Sequence, residues 1–395
     1  MSLINSIPIK LVIHWPRFGP YHISRINAVH RYLSAHDVEV VALEIASKDA
    51  TYQWANATQE IQANKRVVFP NQIFDDIPPG ELFFGIFRAL NEIQPDVIAV
   101  NGYSSIDSWT IIAWSKLRHR RTILMMDSKE DDVKRSLIKE TLKKWMVRNF
   151  DAGFCAGKKH QKYLNKLGMN ISNISVGYDV VDNSYFWRKA EIVREHPKAY
   201  RDLPGLSSLT PYFLASSRFI KRKNLTGLLD AYYLYRERVV QSGNGSYPWR
   251  LVILGDGEER QHLESKIKEK AIEEVTLAGF RQIEELPAYY ALASVFIHPA
   301  LKDQWGLVVN EAMASGLPVL VSKHCGCVPE LVQIGENGYV FEPEDTNDLA
   351  NQMFRISSGE VDLAAMKQAS LMVINDWGLE RFAHGIYEST QVAVS

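Results

Sequence analysis

The residues best placed to do chemistry lie in KDQWGLVVNEAMASGLPVLVS, positions 302–322. Two carboxylates, Asp303 and Glu311, flank Gly306. A strand ends at His298-Pro299, a loop carries Asp303, and a helix starts near Gly306, with Glu311 in its second turn. The first N–H groups of a helix lack intrahelical acceptors, and the helix dipole is positive at that end. The backbone around Trp305, Gly306, Leu307 and Val308 therefore suits an anion such as a diphosphate. Carboxylates only accept hydrogen bonds and are repelled by phosphate. Asp303 and Glu311 accordingly suit uncharged hydroxyls, of a sugar and a ribose respectively. The plainer reading is a helix N-cap at Asp303 and a solvated Glu311.

A second cluster is SSRFIKRKNLTGLLDAY, 216–232. Arg218 and Lys223 follow a strand and precede an amphipathic helix, two cations where a pyrophosphate leaving group would sit. A solvated basic loop is the alternative. His324-Cys325-Gly326-Cys327 carries soft-metal ligand types, yet no fourth ligand is evident nearby. We read it as small residues lining a pocket and expect no metal. Gly255-Asp256-Gly257 lacks the third glycine of a dinucleotide fingerprint and reads as a tight turn.

Positioning such clusters takes strand-to-helix turns, and the chain is full of them. Apolar runs at 10–15, 38–45, 66–70, 96–101, 122–127, 152–157 and 174–179 alternate with helix-period segments. The rhythm repeats at 212–217, 250–255, 275–279, 295–299, 318–322 and 338–343. Continuous Val/Ile/Leu runs, each followed by a helix, specify parallel strands buried on both faces. The fold class is thus α/β, with two doubly wound Rossmann-like domains. Residues 183–210 lose strand character and gain Pro, Gly and charge, which puts the join near 195. A ligand between two such domains meets the carboxyl ends of both sheets.

At 395 residues the chain is long enough for two domains. Its 46% hydrophobic and 23% charged residues fit a globular protein with real cores. A net charge of -1 gives no general attraction to nucleic acid, and no nucleic-acid partner is expected. Three cysteines are too few for a disulfide framework. With neither a signal-peptide pattern nor a membrane-length apolar run, the expectation is a cytoplasmic protein.

Residues 212–345 resemble the donor-binding domain of family-4 retaining glycosyltransferases, the group 1 family with the two-domain GT-B fold. The likeness rests on Arg218 and Lys223, the Gly255-Asp256-Gly257 turn, Phe280-Arg281 within LAGFRQIEELPAYYALA, and Asp303 through Glu311. It implies domains at 1–195 (acceptor) and 196–377 (donor), facing a central cleft, with 378–395 returning to the first. It implies that Arg218 and Lys223 bind the donor diphosphate and stabilise the leaving group, together with Asp303 as the catalytic set. Glu311 would hold the ribose, Asp303 the transferred sugar, and Phe280 and Arg281 would flank the base. No cofactor or metal is implied, only a nucleotide-sugar substrate, with UDP-glucose as the preferred donor. Asp303 stands where the family has Glu, one methylene longer. A sugar-nucleotide sensor, or an epimerase or phosphorylase of the same fold, is the alternative.

On the acceptor side, Gly19 allows close backbone approach. His22 or Arg25 can reach an anion, and Asp127, Asn101 and Tyr103 stand at neighbouring strand ends. Relatives carry a His after a central strand where this chain has Asp127. From Lys116 to Lys166 there are fifteen Lys and Arg against six Asp and Glu. The helical segment 133–150 puts Val133, Leu137, Ile138, Leu142, Trp145 and Met146 on one face. Two readings stand: a sheet-covering helix with a solvated basic face, or peripheral contact of region 116–166 with anionic membrane at the inner face of the plasma membrane. The run DSKEDD…GYDVVDNSYF also resembles a bacterial subgroup of surface-polysaccharide enzymes, which implies a glycan or lipid-linked acceptor.

Overall fold

The structure is a computed structural model describing residues 8–48, 60–132, 136–208, 210–243 and 247–395, with the Leu137 side chain outside the description. Internal contacts divide it into two compact units, Met1–Asp182 with Gly378–Ser395, and Asn183–Trp377.

The first unit runs β1 (Ile9–Trp15), α1 (Pro20–Leu33), β2 (Val38–Lys48), β3 (Asn64–Ile73), α2 (Pro79–Ile93), β4 (Val97–Asn101), α3 (Ile106–Leu117), β5 (Arg121–Met126), α4 (Leu137–Val147), β6 (Ala152–Cys155), α5 (Lys158–Lys166) and β7 (Ile174–Val176). Its sheet has the order β3-β2-β1-β4-β5-β6-β7, and every pairing is parallel.

The second unit runs α6 (Asn183–Glu195), β8 (Tyr212–Ser216), α7 (Leu225–Gln241), β9 (Arg250–Leu254), α8 (Arg260–Glu269), β10 (Val275–Gly279), α9 (Leu286–Leu292), β11 (Val295–His298), α10 (Leu307–Ala314), β12 (Val319–Ser322), α11 (Val328–Leu331), β13 (Gly338–Phe341), α12 (Thr346–Ser357) and α13 (Leu363–Asn375). Its parallel sheet has the order β10-β9-β8-β11-β12-β13. Both orders reverse direction beside the first strand, between β1 and β4 and between β8 and β11. Such a reversal opens a crevice at the carboxyl ends of the strands.

Each expected apolar run is a strand, with ends shifted by a few residues. The join expected at 195 lies instead at 182, because α6 packs on α9 and α10. Asn183 Nδ2–H donates to Ile374 O at 2.7 Å and Arg194 Nε–H to Ala291 O at 3.2 Å. The last helix, α14 (Leu379–Val394), returns to the first unit and covers one face of its sheet beside α1. Phe382 is fully buried there, with ring centroids 5.1 Å from Phe154, 6.0 Å from Tyr178 and 6.2 Å from Trp15.

The opposite face of that sheet carries α2, α3, α4 and α5, and Met146 and Val147 of α4 join its core. The expected single apolar face of α4 is divided, however. Ile138 is 83% exposed, Leu142 54% and Trp145 57%. Val133 lies outside the described residues. Met146 and Val147 face the sheet instead, and Trp145 stacks on Trp109 of α3 at 5.5 Å.

Phe382→Ala should cost about 3–5 kcal/mol, the usual range for emptying a buried aromatic site. Urea unfolding checks this, and an unchanged midpoint would mean α14 is dispensable to the first unit.

Candidate functional site

The site in the second unit is built on the loops after β8 and β11, the two strands flanking the reversal. After β8, Ser217 N–H bonds Leu254 O at 3.1 Å and Phe219 N–H bonds Asp256 O at 2.8 Å. The Gly255-Asp256-Gly257 turn thus braces the basic loop. Gly255 has φ +122, and a Cβ there would fall 1.8 Å from Ser217 O. No other residue fits that position.

Arg218 is exposed on this loop, and Lys223 closes a 3-10 turn behind it. The Lys223 ammonium forms an ion pair with Asp303 Oδ2. Asp303 is only 7% exposed, so its charge needs partners, and it has a second. His298 Nε2 lies 2.7 Å from the same Oδ2. Burial pulls the Asp303 carboxyl upward, but Lys223 and then His298 hold it well below the ordinary carboxylate range. The plain N-cap reading of Asp303 falls away, because the N-cap of α10 is Gly306.

Gly306 has φ +98, and a Cβ on it would sit 2.7 Å from Cys325 Sγ and 3.3 Å from His298 Nε2. Leu307 and Val308 open the helix, and their N–H groups point out of its first turn. Trp305 is buried, with Nε1–H donating to Asn310 Oδ1 at 2.9 Å. Glu311 is not solvated. It is 2% exposed, and Tyr290 O–H donates to its Oε2 at 2.8 Å.

The loop after β10 carries Phe280, half-buried, and Arg281. The Arg281 guanidinium is folded onto its own loop, paired with Glu285 Oε1 at 3.1 Å and lying over the Tyr289 ring at 5.6 Å. The cysteines meet a histidine other than the expected His324. His324 lies 3.5 Å from Glu342 at the surface. Cys325 Sγ sits 3.5 Å from Cys327 Sγ and close to His298, which sequence reasoning left unmarked. The signal was there: His298 ends an otherwise apolar strand.

In the first unit, Gly19 is the N-cap of α1, and its N–H donates to His22 Nδ1 at 3.0 Å. Burial and Arg25 push the His22 pKa down to about 3, so a neutral ring offers Nε2–H rather than charge. Arg25 does not reach out for an anion. It is buried, bonded to Val180 O at 3.1 and 2.9 Å and 3.4 Å from Asp179, with Tyr178 beneath it.

Asn101 faces inward, accepting from Tyr178 O–H at 3.0 Å, and Tyr103 is buried. Asp127 stands half-buried just past β5. Two residues on from it, Lys129 is 1% exposed and paired with Asp131 and Asp132 at 2.7 and 3.1 Å. This buried lysine, unmarked in the sequence, shapes the DSKEDD loop.

Residues 200–371 match the family model "Glycosyl transferases group 1". The chain is similar to the amylovoran biosynthesis glycosyltransferase AmsK of Erwinia amylovora, 31% identical over 40% of this chain and 38% of that protein. It is also similar to the alpha-monoglucosyldiacylglycerol synthase of Acholeplasma laidlawii, 24% identical over 49% and 47%. The match therefore spans less than half the length of these relatives. In structure it resembles Anabaena HepE in complex with UDP and glucose, with TM-score 0.70, 16% identity and coverage of 97% and 99%. That likeness shows the fold, which is GT-B.

The Asp303 pair has a measurable signature. A depressed native pKa contributes stability that is complete above the ordinary Asp value of about 4. That contribution fades as pH falls toward the native value. Between about pH 5 and about pH 3, Tm should drop more steeply in the wild type than in Asp303→Asn. Parallel curves would remove the buried charge from the account.

Proposed function

We propose that this chain is a retaining glycosyltransferase. It transfers a hexosyl group from a nucleoside-diphosphate sugar, with UDP-glucose as the donor, to a hydroxyl of a glycan or lipid-linked oligosaccharide in surface polysaccharide synthesis. The supporting observation is the meeting of Lys223, Asp303 and the opening turn of α10 at the β8/β11 reversal. An ammonium has three N–H donors, and only one is needed for Asp303. The others, with Arg218 and the α10 N–H groups, suit a diphosphate. Glu311 serves the ribose, and Phe280 with Arg281 the base.

Asp303 makes a poor nucleophile, since two partners share its Oδ2. Transfer therefore proceeds on one face of the sugar. The anomeric carbon–phosphate oxygen bond breaks, the acceptor oxygen bonds to the same carbon, and its proton passes to the departing diphosphate. Arg218 and Lys223 stabilise the charge that develops on that leaving group. The chemistry requires no metal.

The acceptor side belongs to the first unit, at Gly19, His22 and Asp127. A relative named as a diacylglycerol-sugar synthase favours a lipid-linked acceptor. Among the described residues no helix is long and apolar enough to cross a membrane. Instead, α4 exposes Ile138, Leu142 and Trp145 beside Lys139 and Lys144. Apolar side chains beside cations suit an anionic membrane surface at the cytoplasmic face.

Arg218→Ala or Lys223→Ala should lower turnover of UDP-glucose by about 100-fold or more, with the fold retained by circular dichroism. Chelation by EDTA should leave wild-type turnover unchanged. Wild-type turnover in both variants would sink the assignment. Replacing Ile138, Leu142 and Trp145 by Ser should weaken sedimentation with phosphatidylglycerol vesicles by about tenfold. Equal sedimentation would place the membrane contact elsewhere.

A further inference from the structure

Behind Asp303 lies a layer of side chains that the proposed reaction does not use. His298 ends β11 and is 1% exposed, and Cys325 and Cys327, on the loop after β12, are fully buried. The backbone ties this loop to the Asp303 loop. Gly326 N–H donates to Asp303 O at 3.1 Å and Cys327 N–H to Trp305 O at 3.2 Å. Cys325 Sγ lies 2.6 Å from Trp305 O. Against the upward pull of burial, Cys327 and His298 hold its thiol below the ordinary cysteine value, to about 6. Gly306 leaves room for the layer, since any Cβ there would strike Cys325.

We propose that His298 is a positioning residue for nucleotide-sugar binding: from inside the fold, with Cys325 behind it, it aims Asp303 at the donor sugar and keeps that carboxylate paired while Lys223 serves the diphosphate. This rests on the donor-site reading above.

The argument begins with the competition for Lys223. Its ammonium holds Asp303 in the structure, and a diphosphate sharing that ammonium would weaken its hold on the carboxylate. A carboxylate as buried as Asp303 tolerates a weakened ion pair poorly. Without a second partner, every donor molecule would bring that weakening. His298 supplies the second partner from the side away from the basic loop.

Geometry makes the same point. Lys223 and His298 both meet Oδ2, and neither meets Oδ1. Fixing one oxygen from two directions fixes the plane of the carboxylate, and with it the direction of Oδ1. A short Asp arm has little reach with which to correct an error of aim, so its orientation has to be preset.

The groups facing His298 are Asp303 on its own loop, Lys223 beyond it, and Cys325 and Cys327 from the loop after β12, with Glu330 next to Cys327. Burial alone would lower the imidazole, but Cys325 and Asp303 raise its pKa to about 9. Burial pushes the Cys327 thiol well up, so it stays neutral. His298 thus carries a proton toward Asp303 throughout the neutral range.

The test uses the full chain with His298→Leu, which removes the donor group, and His298→Gln, which restores an N–H at similar reach. UDP-glucose and UDP binding are measured by calorimetry, and donor KM and kcat by transfer or by slow donor hydrolysis. In His298→Leu the donor KM should rise about tenfold or more. Its preference for UDP-glucose over UDP should fall by a similar factor. His298→Gln should recover to within about threefold.

Wild-type donor binding should weaken above about pH 9. His298→Gln should lack this limb. A wild-type KM in His298→Leu would overturn the proposal. Equal impairment of both variants, with lowered Tm and unchanged sugar preference, would also overturn it, marking His298 as packing only. Stoichiometric zinc in the purified protein, lost in Cys325→Ser, would do so as well, because Asp303 would then be a ligand. Failure of the wild type to bind any nucleoside-diphosphate sugar would defeat the donor-site reading itself, and this inference with it.

Discussion

A buried carboxylate between two cationic side chains is the constraint around which the second unit is arranged. Asp303 can be ionised at 7% exposure only because Lys223 and His298 both reach its Oδ2. Each partner comes from a different strand end, Lys223 from beyond β8 and His298 from the tip of β11. These are adjacent strands of opposite winding direction, so the reversal of strand order is what brings the groups together. Several glycines follow from the same demand. Gly255 and Gly257 let the basic loop close against its neighbour, and Gly306 leaves room for His298 and Cys325 where α10 begins.

Buried ion pairs seldom add net stability relative to well-packed apolar residues. The surrounding strands are apolar: Phe296 and Ile297 precede His298 on β11, Val321 pairs with it on β12, and all three are fully buried. Charge retained at such a place fits the proposed donor site, which would meet a polar ligand. The first unit offers a contrast. Its Arg25 is equally buried, but Val180 O, Asp179 and the Tyr178 ring fully occupy it, and there the charge serves the fold.

Much of this was legible in the sequence. Most strands announced themselves as apolar runs rich in Val, Ile and Leu, because strands buried on both faces have no polar side to show. Two depart from that pattern: β6, Ala-Gly-Phe-Cys, and the exposed edge strand β3. Arg218, Lys223, Gly306 and Asp303 were legible because loops at strand ends interrupt those runs with charge and glycine. The partners of these residues were not. Arg25 meets Asp179 and Val180 from 154 and 155 positions away, and periodicity carries no such distance. His298 and Lys129 hid because they read as a strand terminus and as one more charge in a polar loop. The alternative of a solvated Glu311 fails for a related reason: the packing of α9, which supplies Tyr290, is not visible in the sequence.

The helix α4 marks a different limit. A period of 3.6 says which side chains share a face, but not whether that face meets the sheet. Here Met146 and Val147 take the inward positions, and Ile138, Leu142 and Trp145 are left outward beside lysines. Leaving a tryptophan and two large aliphatics in water forgoes the stabilisation that burial gives, about 1.5–3 kcal/mol for each such side chain. The Trp145 indole stacks on Trp109 of α3, itself packed at the edge of the core, instead of entering that core. The exposed face thus sets three large apolar side chains next to Lys139 and Lys144, the arrangement on which the proposed membrane contact rests.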